Sequence, residues 1–415
     1  MVIDGQKGSE ARADAVEARI ATRLSTSDPV RPRERFLVFG APQIHEAEVA
    51  EIVATMRSGW LGTGPRVARF EDVFCERLGA RHALAVNSCT AALHLAVLAC
   101  GMGPGDEVIV PALTFCATAN AVIHAGATPV IADVDPLTMN LDLASVAERV
   151  TDRTRAVIPV HFAGRPCDME ALRGVLAGRR IVVIEDCAHA VETRRAGVPA
   201  GRWGALGCFS FYATKNVTTG EGGMVVTDDD AMAETIKVRA LHGMTRDAWR
   251  RFSDEGYRHY QVVFPGFKYN MMDLQAAIGL HQLERVEANW KRRSEIWSRY
   301  STELADTGLI LPQDPEPGTR HAHHLYTVLV DQSRVGLARD SFLDAMTAQG
   351  IGVGVHYLSL SEHPYYQEAL GWRAEMVPAA ARIGSQTVSI PLSPALDDND
   401  VADVIEAVHR VLAAA

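Results

Sequence analysis

Residues 83–135 read ALAVNSCTAALHLAVLACGMGPGDEVIVPALTFCATANAVIHAGATPVIADVD, in which short apolar runs alternate with segments rich in small residues. The apolar runs predict strands and the small-residue segments predict helices. In chain order the predicted elements are the strand Ala83–Val86, the helix Thr90–Cys100, the strand Glu107–Pro111, the helix Ala117–Ala125 and the strand Pro129–Asp133. Because strands that alternate with helices pair in parallel, this stretch predicts a βαβαβ unit with helices on the faces of a parallel sheet.

More strands of the same kind follow this unit. Two are predicted at Ala156–Val160 and Ile181–Ile184, on either side of a helix at Met169–Leu176. A strand pair is predicted at Gly207–Phe211 and Gly223–Thr227. All of these elements belong to one large α/β domain.

The remainder of the chain has α+β character. Helical periodicity from Asp273 to Tyr300 predicts one long helix that bridges to a smaller C-terminal domain. That domain is predicted to contain the strand His324–Asp331, the helix Arg339–Gln349, the strand Gly352–His356 and the helix Asp398–Ala413. The predicted organisation is a flexible N-terminal extension at residues 1–35, a large α/β domain at 36–275 and a small α+β domain at 276–415.

Composition excludes several classes of protein. The 415 residues are 47% hydrophobic and carry 41 basic against 51 acidic residues, a formal charge of -10, with no basic run for nucleic acid or an anionic membrane. The seven cysteines are scattered, without the spacing of a disulfide framework or a CxxC metal site. Since the sequence has no signal-peptide core and no apolar span of membrane length, we expect a cytoplasmic enzyme.

One lysine and one aspartate are in positions typical of a catalytic pair. Lys215 lies between the apolar run Gly204–Tyr212 and the glycine-rich turn Gly220–Gly223, which would bury its amine and lower the amine's pKa. Asp186 follows the predicted strand Ile181–Ile184, at the edge where parallel sheets place ligand groups. Taken singly, a surface lysine and a helix-capping aspartate are equally physical interpretations. Together they predict a pyridoxal phosphate (PLP) site, in which lysine forms the Schiff base and aspartate holds the pyridinium proton.

A candidate phosphate cradle lies between the first predicted strand and helix. Asn87–Thr90 joins free backbone N–H groups at a helix N-terminus to hydroxyl side chains, although Ser88 or Thr90 could simply cap the helix. Ser210, five residues before Lys215, is a further candidate phosphate ligand.

Three other features leave alternatives open. Phe115 follows a strand end, where its ring could stack on a planar cofactor or pack in the core. Asn270 precedes the long predicted helix, and because Asp273 is the better candidate cap, Asn270 is available for another role. His321, His323 and His324 lack the spacing of a metal motif, so we predict no metal site and expect these histidines to be structural or to face substrate.

Taken together, these residues resemble the DegT/DnrJ/StrS family of PLP-dependent sugar aminotransferases, which have the fold-type-I architecture. The resemblance covers roughly residues 38–412 and leaves out the N-terminal extension. It is carried by the segments Ser58–Pro65, Phe70-Glu71, Asn87–Leu93, Asp133–Asp135, Glu185–His189, Ser210–Lys215, Gly220–Gly223, Leu241–Gly243, Gly266–Asn270, Ala276–Gly279 and Ile390–Leu392.

The resemblance implies a mostly parallel seven-stranded sheet flanked by helices and assigns roles to individual residues. Lys215 would form the internal aldimine with PLP and act as general base, while Asp186 would contact the pyridine nitrogen and His189 the ring hydroxyl. The other implied cofactor-binding residues are Ser88, Cys89, Thr90, Phe115, Ser210 and, from the neighbouring subunit of a homodimer, Asn270. We expect substrate contacts from Trp60, Thr63 and His324.

Two departures from the family pattern accompany this resemblance. Cys89 stands where glycine or serine is commoner, and His189 stands where many members have glutamine. Lys215 is present, whereas the dehydratase branch of the family has histidine at that position. The chain therefore keeps the machinery for transamination.

The resemblance also implies a reaction. We expect a ping-pong transamination from L-glutamate to a nucleotide-linked 4-keto-sugar. The segments 242–248 and 265–270 are most similar to those of enzymes acting on UDP-4-keto-pentoses. The alternatives are an aminotransferase for a keto-cyclitol, an aminoshikimate-type PLP dehydratase, and a regulatory or scaffold protein on the same fold.

Overall fold

The computed structural model describes residues 35–244 and 261–414. The predicted extension at residues 1–35, apart from Arg35, lies outside these residues, as do positions 245–248 of the segment that resembles pentose enzymes. Among the described residues, no helix is both long enough and apolar enough to span a membrane.

Seven strands form the central sheet, in the order β1-β9-β8-β5-β4-β2-β3. The strands of the described chain are β1 (His82–Val86), β2 (Glu107–Pro111), β3 (Thr128–Ala132), β4 (Thr154–Val157), β5 (Val182–Asp186), β6 (Arg194–Arg195), β7 (Val198–Pro199), β8 (Leu206–Ser210), β9 (Gly223–Thr227), β10 (Thr319–Arg320), β11 (Tyr326–Leu329) and β12 (Thr387–Ile390). Neighbouring strands of this sheet are parallel except that β9 runs antiparallel to both β8 and β1. The predicted fold class, a mostly parallel seven-stranded α/β sheet, is confirmed.

Helices cover the sheet and build the C-terminal part. They are α1 (Glu46–Ser58), α2 (Pro65–Leu78), α3 (Cys89–Ala99), α4 (Ala117–His124), α5 (Leu143–Arg149), α6 (Met169–Val175), α7 (Asp230–Ala240), α8 (Asp273–Glu284), α9 (Val286–Glu303), α10 (Gln332–Val335), α11 (Arg339–Ala348), α12 (Pro364–Leu370), α13 (Pro378–Gln386) and α14 (Asp398–Ala413). Every residue of β2, β8 and β9 is buried, as expected for strands covered on both faces. Helix α3 packs on β8 and β9, and its N-terminus lies near the end of β8, because Gly223 pairs with Ser210 and lies against the backbone of Ser88.

Two predicted elements differ from those observed. The long helix predicted from Asp273 to Tyr300 is two helices, α8 and α9, separated at Arg285, whose φ of -99° and ψ of 0° interrupt the helix. The strand predicted at Gly352–His356 is irregular. Gly354 makes only an isolated bridge to Ser389, and Gly352 lies so close to Leu37 that a β-carbon there would be 2.8 Å from the Leu37 carbonyl oxygen. Periodicity detects neither a one-residue break nor a close backbone approach.

A second core lies in the C-terminal part of the chain. Strands β11 and β12 pair antiparallel, and helices α9, α11 and α14 pack around them. Tyr300, Tyr326 and Phe342 are wholly buried there. The predicted boundary at residue 275 falls inside α8, which packs against α1 and α2 of the large domain, and it stays a prediction.

Asp273 does not cap the helix in which it lies, contrary to the prediction. Its two carboxylate oxygens accept hydrogen bonds from the N–H groups of Arg66 (3.2 Å) and Val67 (3.0 Å), in the first turn of α2. The N-terminal cap of α8 is Met272, whose N–H donates to Gln275 at 2.9 Å. The wholly buried Asp273 therefore joins the starts of two helices that are about 200 residues apart in sequence.

We expect Asp273→Ala to lower the free energy of unfolding by about 2 kcal/mol, because it leaves two N–H groups of α2 without an acceptor in a buried place. The shift of the denaturant midpoint measures this effect. Asp229→Ala is the matched control, since the exposed Asp229 caps α7 through the N–H groups of Ala231 and Met232. A loss for Asp273→Ala no larger than that of the control would contradict the proposed link between helices.

Candidate active site

The site forms where β5 and β8 end side by side. These strands are parallel, with Asp186 paired to Cys208, so the last residue of β5 lies two residues before the end of β8 at Ser210. The chain then turns through Tyr212, whose carbonyl accepts the N–H of Lys215 at 2.9 Å. The structure thus brings Asp186 and Lys215 together, close enough for each charge to stabilise the other.

Asp186 is a buried carboxylate with a hydrogen bond at each oxygen. The N–H of Ala188 donates to Oδ1 at 3.1 Å, and the hydroxyl of Thr118 donates to Oδ2 at 2.9 Å. Burial raises the pKa of Asp186, while these two donors and the charge of Lys215 act in the opposite direction. The carboxylate is fixed in orientation and keeps further lone pairs for a ligand.

Lys215 has an amine suited to nucleophilic and base chemistry. Desolvation lowers the pKa of Lys215 to about 8, while the neighbouring Cys89 and Asp186 oppose that shift. The residue as a whole is partly exposed although its amine is desolvated, so a small molecule can still reach the site. At neutral pH a useful fraction of this amine is unprotonated.

The segment predicted as an anion cradle forms the N-terminus of α3. Ser88 caps the helix, as its hydroxyl oxygen accepts the N–H of Ala91 at 3.1 Å. The first N–H groups bonded to the cap residue are therefore those of Ala91 and Ala92, which leaves the N–H groups of Cys89 and Thr90 at the open end. Gly223 makes the cradle possible, because a β-carbon at that position would lie 2.5 Å from the Ser88 backbone.

Two predicted phosphate ligands differ in what their side chains can offer. Burial raises the pKa of Cys89 well above its ordinary value, so it stays a neutral thiol and its backbone N–H is the useful donor. Ser210 is buried, and its oxygen accepts a long bond of 3.4 Å from the N–H of Tyr212. The hydroxyl hydrogen of Ser210 remains available for an anion.

His189 is held in one neutral tautomer. Its Nδ1 accepts the N–H of Ala163 at 3.2 Å, so the proton lies on Nε2, which is 3.1 Å from the hydroxyl of Tyr357. Burial lowers the pKa of His189 well below its usual value, and the charge of Lys215 acts in the same direction. Tyr357 and Thr118 are members of this site that the sequence did not indicate, because each reaches it only through a contact between distant segments.

Phe115 lies on the open side of the site. It is 56% exposed, so the core-packing alternative is wrong, and its ring centroid is 5.9 Å from that of Tyr357. His324 lies deeper, with its ring centroid 4.4 Å from that of His189. Both residues join the group that contains Asp186 and Lys215.

His324 also has a fixed tautomer. Asn216 uses its amide nitrogen to donate to the Glu192 carboxylate and to the Ala322 carbonyl, so its oxygen accepts from Nδ1 of His324 at 2.9 Å. Nε2 of His324 consequently carries a lone pair. Burial lowers the pKa of His324 well below its usual value, and the electrostatic interactions with the His189 ring and with Lys215 act in the same direction.

Trp60, Thr63 and Asn270 form a separate group. The amide of Asn270 donates to the Thr63 hydroxyl at 2.6 Å, and the indole N–H of Trp60 donates to the Thr63 carbonyl at 3.0 Å. All three line a cavity of about 530 Å³ between α2, β1 and α7, and Lys215 is not among its lining residues. Within the described residues, the oxygen of the Asn270 side chain is buried without a hydrogen-bond partner.

One buried cluster has the composition of a metal site, but its histidine and its carboxylate are already bonded to protein groups. Possible ligand atoms of His161, Glu185 and Cys187 lie within 4.8 Å of one another. Nε2 of His161 is bonded to Glu185, and its Nδ1 accepts the N–H of Cys167. Of the histidines considered in the sequence, His321 and His323 are buried, with Nδ1 of His321 accepting the N–H of His323. These bonds favour structural roles for His161, Glu185 and His321.

Comparison with known proteins identifies the family. The model of the DegT/DnrJ/EryC1/StrS aminotransferase family matches residues 42–409. The chain belongs to this aminotransferase family. A curated relative, the spore coat polysaccharide biosynthesis protein SpsC of Bacillus subtilis, is 48% identical over 385 residues, covering 92% of this chain and 99% of SpsC.

Solved structures of similar proteins agree with this membership. The putative sugar aminotransferase Spr1654 of Streptococcus pneumoniae, in its PLP form, has a TM-score of 0.84 and 32% identity, with 91% of this chain and 99% of Spr1654 covered. DesI, determined in the presence of its TDP-sugar product, has a TM-score of 0.81 and 32% identity, with 92% and 94% covered. The predicted family and enzyme class, a PLP-dependent aminotransferase, are confirmed.

The side chains and N–H groups of this site are chemically suited to bind PLP. The open helix end at Cys89 and Thr90, with the Ser210 hydroxyl nearby on β8, offers donors for a phosphate. Asp186 offers a buried carboxylate for a pyridine nitrogen, and Lys215 offers an amine of lowered pKa for the aldehyde. The donor set is therefore that of a PLP site.

We expect the Lys215 amine of cofactor-free protein to titrate with a pKa of about 8, against about 10.4 for an ordinary lysine. Since only the unprotonated amine reacts, acylation of Lys215 should rise with pH and level off above about 8. Competitive labelling with a trace acylating reagent, read by peptide mass spectrometry, measures the profile. A profile still rising at pH 10 would contradict the desolvation of Lys215.

Proposed function

We propose that this chain is an aminotransferase that moves the amino group of L-glutamate to a nucleotide-linked keto-sugar, most specifically a 4-keto-sugar, in two half-reactions. The observation that carries this proposal is the juxtaposition of the Lys215 amine, at a pKa of about 8, with the buried Asp186 carboxylate beside the anion cradle of α3. A site without function has no physical need for a buried amine beside a buried acid.

Each residue has a task in this proposal. PLP, when bound, supplies an electron sink that lowers the barrier to removing a proton from carbon next to the amino group. The Lys215 amine takes that proton from one carbon and returns it to another in both half-reactions. Asp186 holds a proton on the pyridine nitrogen. His189 would contact the ring hydroxyl through Nε2, whose proton would then turn from the Tyr357 hydroxyl to the cofactor oxygen. The N–H groups of Cys89 and Thr90 and the Ser210 hydroxyl bind the phosphate.

The substrate side of the proposal rests on donors, acceptors and relatives. His324 offers an acceptor nitrogen next to His189, which suits a hydroxyl group of a sugar. Because the formal net charge of the protein is -10, its overall electrostatic field does not attract a nucleotide diphosphate. Local hydrogen-bond donors must therefore bind the diphosphate. A relative of this chain belongs to polysaccharide biosynthesis and a similar structure was determined with a TDP-sugar product, which supports a nucleotide sugar for this chain.

The proposal includes a homodimer with shared sites. Asn270 lies with Trp60 and Thr63 around a cavity that Lys215 does not line, and Trp60 is 52% exposed. The amide nitrogen of Asn270 donates one of its two hydrogens to the Thr63 hydroxyl, and its second hydrogen can donate to a phosphate oxygen bound by a second copy. We infer that this group completes the partner's site, where Asn270 binds the cofactor phosphate and Trp60 and Thr63 contact substrate.

The central test compares wild-type protein with Lys215→Ala. With PLP and L-glutamate alone, the wild type should release about one 2-oxoglutarate per site and then stop, and a nucleotide 4-keto-sugar should restart release. Lys215→Ala should lose turnover by a factor of 10³ or more, because no other group moves the proton, whereas Lys291→Ala on α9 should behave as the wild type. The assay follows 2-oxoglutarate and the amino-sugar product by mass spectrometry.

Each failure of this test has a specific meaning. Appreciable steady-state transamination by Lys215→Ala would remove its assigned role. Binding of PLP without any response to L-glutamate would favour another donor or the dehydratase, which product analysis separates. Absence of PLP binding by folded wild-type protein would favour a regulatory or scaffold protein.

A mixed dimer tests whether Asn270 acts across subunits. Lys215→Ala and Asn270→Ala chains should each be weak alone, but a dimer of one of each has one intact site if Asn270 serves its partner. Random exchange of equal amounts should then recover about a quarter of wild-type activity. Native mass spectrometry confirms that the mixed dimers have formed. No recovery in confirmed mixed dimers, or a fully active monomer, would contradict the shared site.

A further inference from the structure

We infer that Thr118 is a positioning residue for this reaction: its hydroxyl fixes the Asp186 carboxylate in the orientation that the cofactor's pyridine nitrogen requires. This inference rests on the role proposed above for Asp186. It concerns a residue that neither the sequence motifs nor the family resemblance indicates.

The geometry of the contact is specific. Thr118 is wholly buried in the first turn of α4, and its Oγ1 lies 2.9 Å from Oδ2 of Asp186, a contact between residues 68 positions apart. The N–H of Ala188 bonds the other oxygen, Oδ1, at 3.1 Å. With one donor at each oxygen, the carboxylate cannot rotate without losing a hydrogen bond.

The direction of the hydrogen bonds follows from a second hydroxyl. Oγ1 of Thr114 lies 3.0 Å from Oγ1 of Thr118. An ionised carboxylate only accepts, so Thr118 donates to Asp186 and receives the hydroxyl hydrogen of Thr114. The two threonines are four residues apart and both are buried, so they form a short chain of donors that ends on Asp186.

The same segment sets two features of the site at once. Phe115 lies between the two threonines in sequence and its exposed ring lies near Tyr357, whereas Thr118 is buried against Asp186 and Thr114 is buried against Thr118. The start of α4 therefore positions both the aromatic ring proposed to cover the cofactor and the carboxylate proposed to bind the cofactor's nitrogen. A shift of this turn would move both together.

Other groups around Asp186 do not replace the hydroxyl. The charges of Lys215 and His161 act on Asp186 through space, and Tyr357 and the thiols of Cys89, Cys187 and Cys208 lie close enough to feel its charge. In the described residues, the hydrogen bonds to the Asp186 carboxylate come from Thr118 and Ala188. Removal of the Thr118 hydroxyl thus leaves Oδ2 without its donor.

The test compares Thr118→Val, which keeps the branched shape and removes the hydroxyl, with Thr118→Ser, which keeps the hydroxyl and removes a methyl group. We expect Val to weaken PLP binding and slow the glutamate half-reaction by about tenfold or more, and Ser to stay near the wild type. Both substitutions are also made in Asp186→Ala protein. There, Thr118→Val should cause no further change in PLP affinity or half-reaction rate, because no carboxylate remains to be positioned.

A matched control measures the effect of removing a buried threonine hydroxyl that does not contact Asp186. Thr55 is also wholly buried, and its hydroxyl donates to the Glu51 carbonyl on α1 at 2.7 Å. Thr55→Val should leave PLP affinity and the glutamate half-reaction unchanged. Dissociation constants for PLP, single-turnover rates and the thermal midpoint are measured for every variant.

The outcomes separate this inference from the proposed function. Three results would overturn the role of Thr118 while leaving the proposed function intact. These are PLP affinity and half-reaction rates of Thr118→Val equal to those of the wild type, a larger loss in Thr118→Ser than in Thr118→Val, and a loss from Thr118→Val in Asp186→Ala protein equal to its loss in the wild-type background. Failure of the wild type to bind PLP would overturn the proposed function, and this inference with it. The role of Thr118 would be established if Thr118→Val lost PLP affinity and half-reaction rate, Thr118→Ser retained both, and Thr118→Val had no effect in Asp186→Ala protein.

Discussion

The Glu185 carboxylate is the buried interaction on which the active-site edge of the sheet depends. One of its oxygens accepts the N–H groups of Trp203 and Gly204, both at 2.7 Å, and the other accepts the N–H of Gly201 and Nε2 of His161, both at 2.9 Å. Four donors compensate the cost of removing this charge from water. The loop that they hold leads directly into β8, so Glu185 sets where β8 begins and therefore where Ser210 and Lys215 lie.

The two adjacent acidic residues, Glu185 and Asp186, consequently have different roles. Along a strand, successive side chains point to opposite faces, so Glu185 and Asp186 serve different environments although they are adjacent. Backbone N–H groups and His161 already supply two donors to each oxygen of Glu185. Asp186 has one donor at each oxygen and can accept a further hydrogen bond. The first is structural, and we propose that the second binds the cofactor.

Neutral histidines are the second electrostatic feature of the site. Burial lowers the pKa of His189 and His324, and the charge of Lys215 adds to that effect in each case. Burial likewise lowers the pKa of His356 to about 4. The lysine is thus left as the titratable cation among these residues, with its amine near the pKa that proton transfer requires. The hydrogen bonds of Ala163 and Asn216 then decide which ring nitrogen of His189 and of His324 carries the proton.

The sequence by itself determined the repeating features of this protein. The strands Glu107–Pro111 and Gly223–Thr227 and the helix Asp398–Ala413 were predicted with their observed ends, because apolar runs and helical spacing are local properties. The pairing of Asp186 with Lys215 was also predictable, since both follow strands of one sheet. Tertiary structure alone decided the rest: the break at Arg285, the cap that Asp273 gives to α2, and the contacts of Thr118 and Tyr357. Each depends on a hydrogen bond or a close approach between segments far apart in the chain, which no local pattern records.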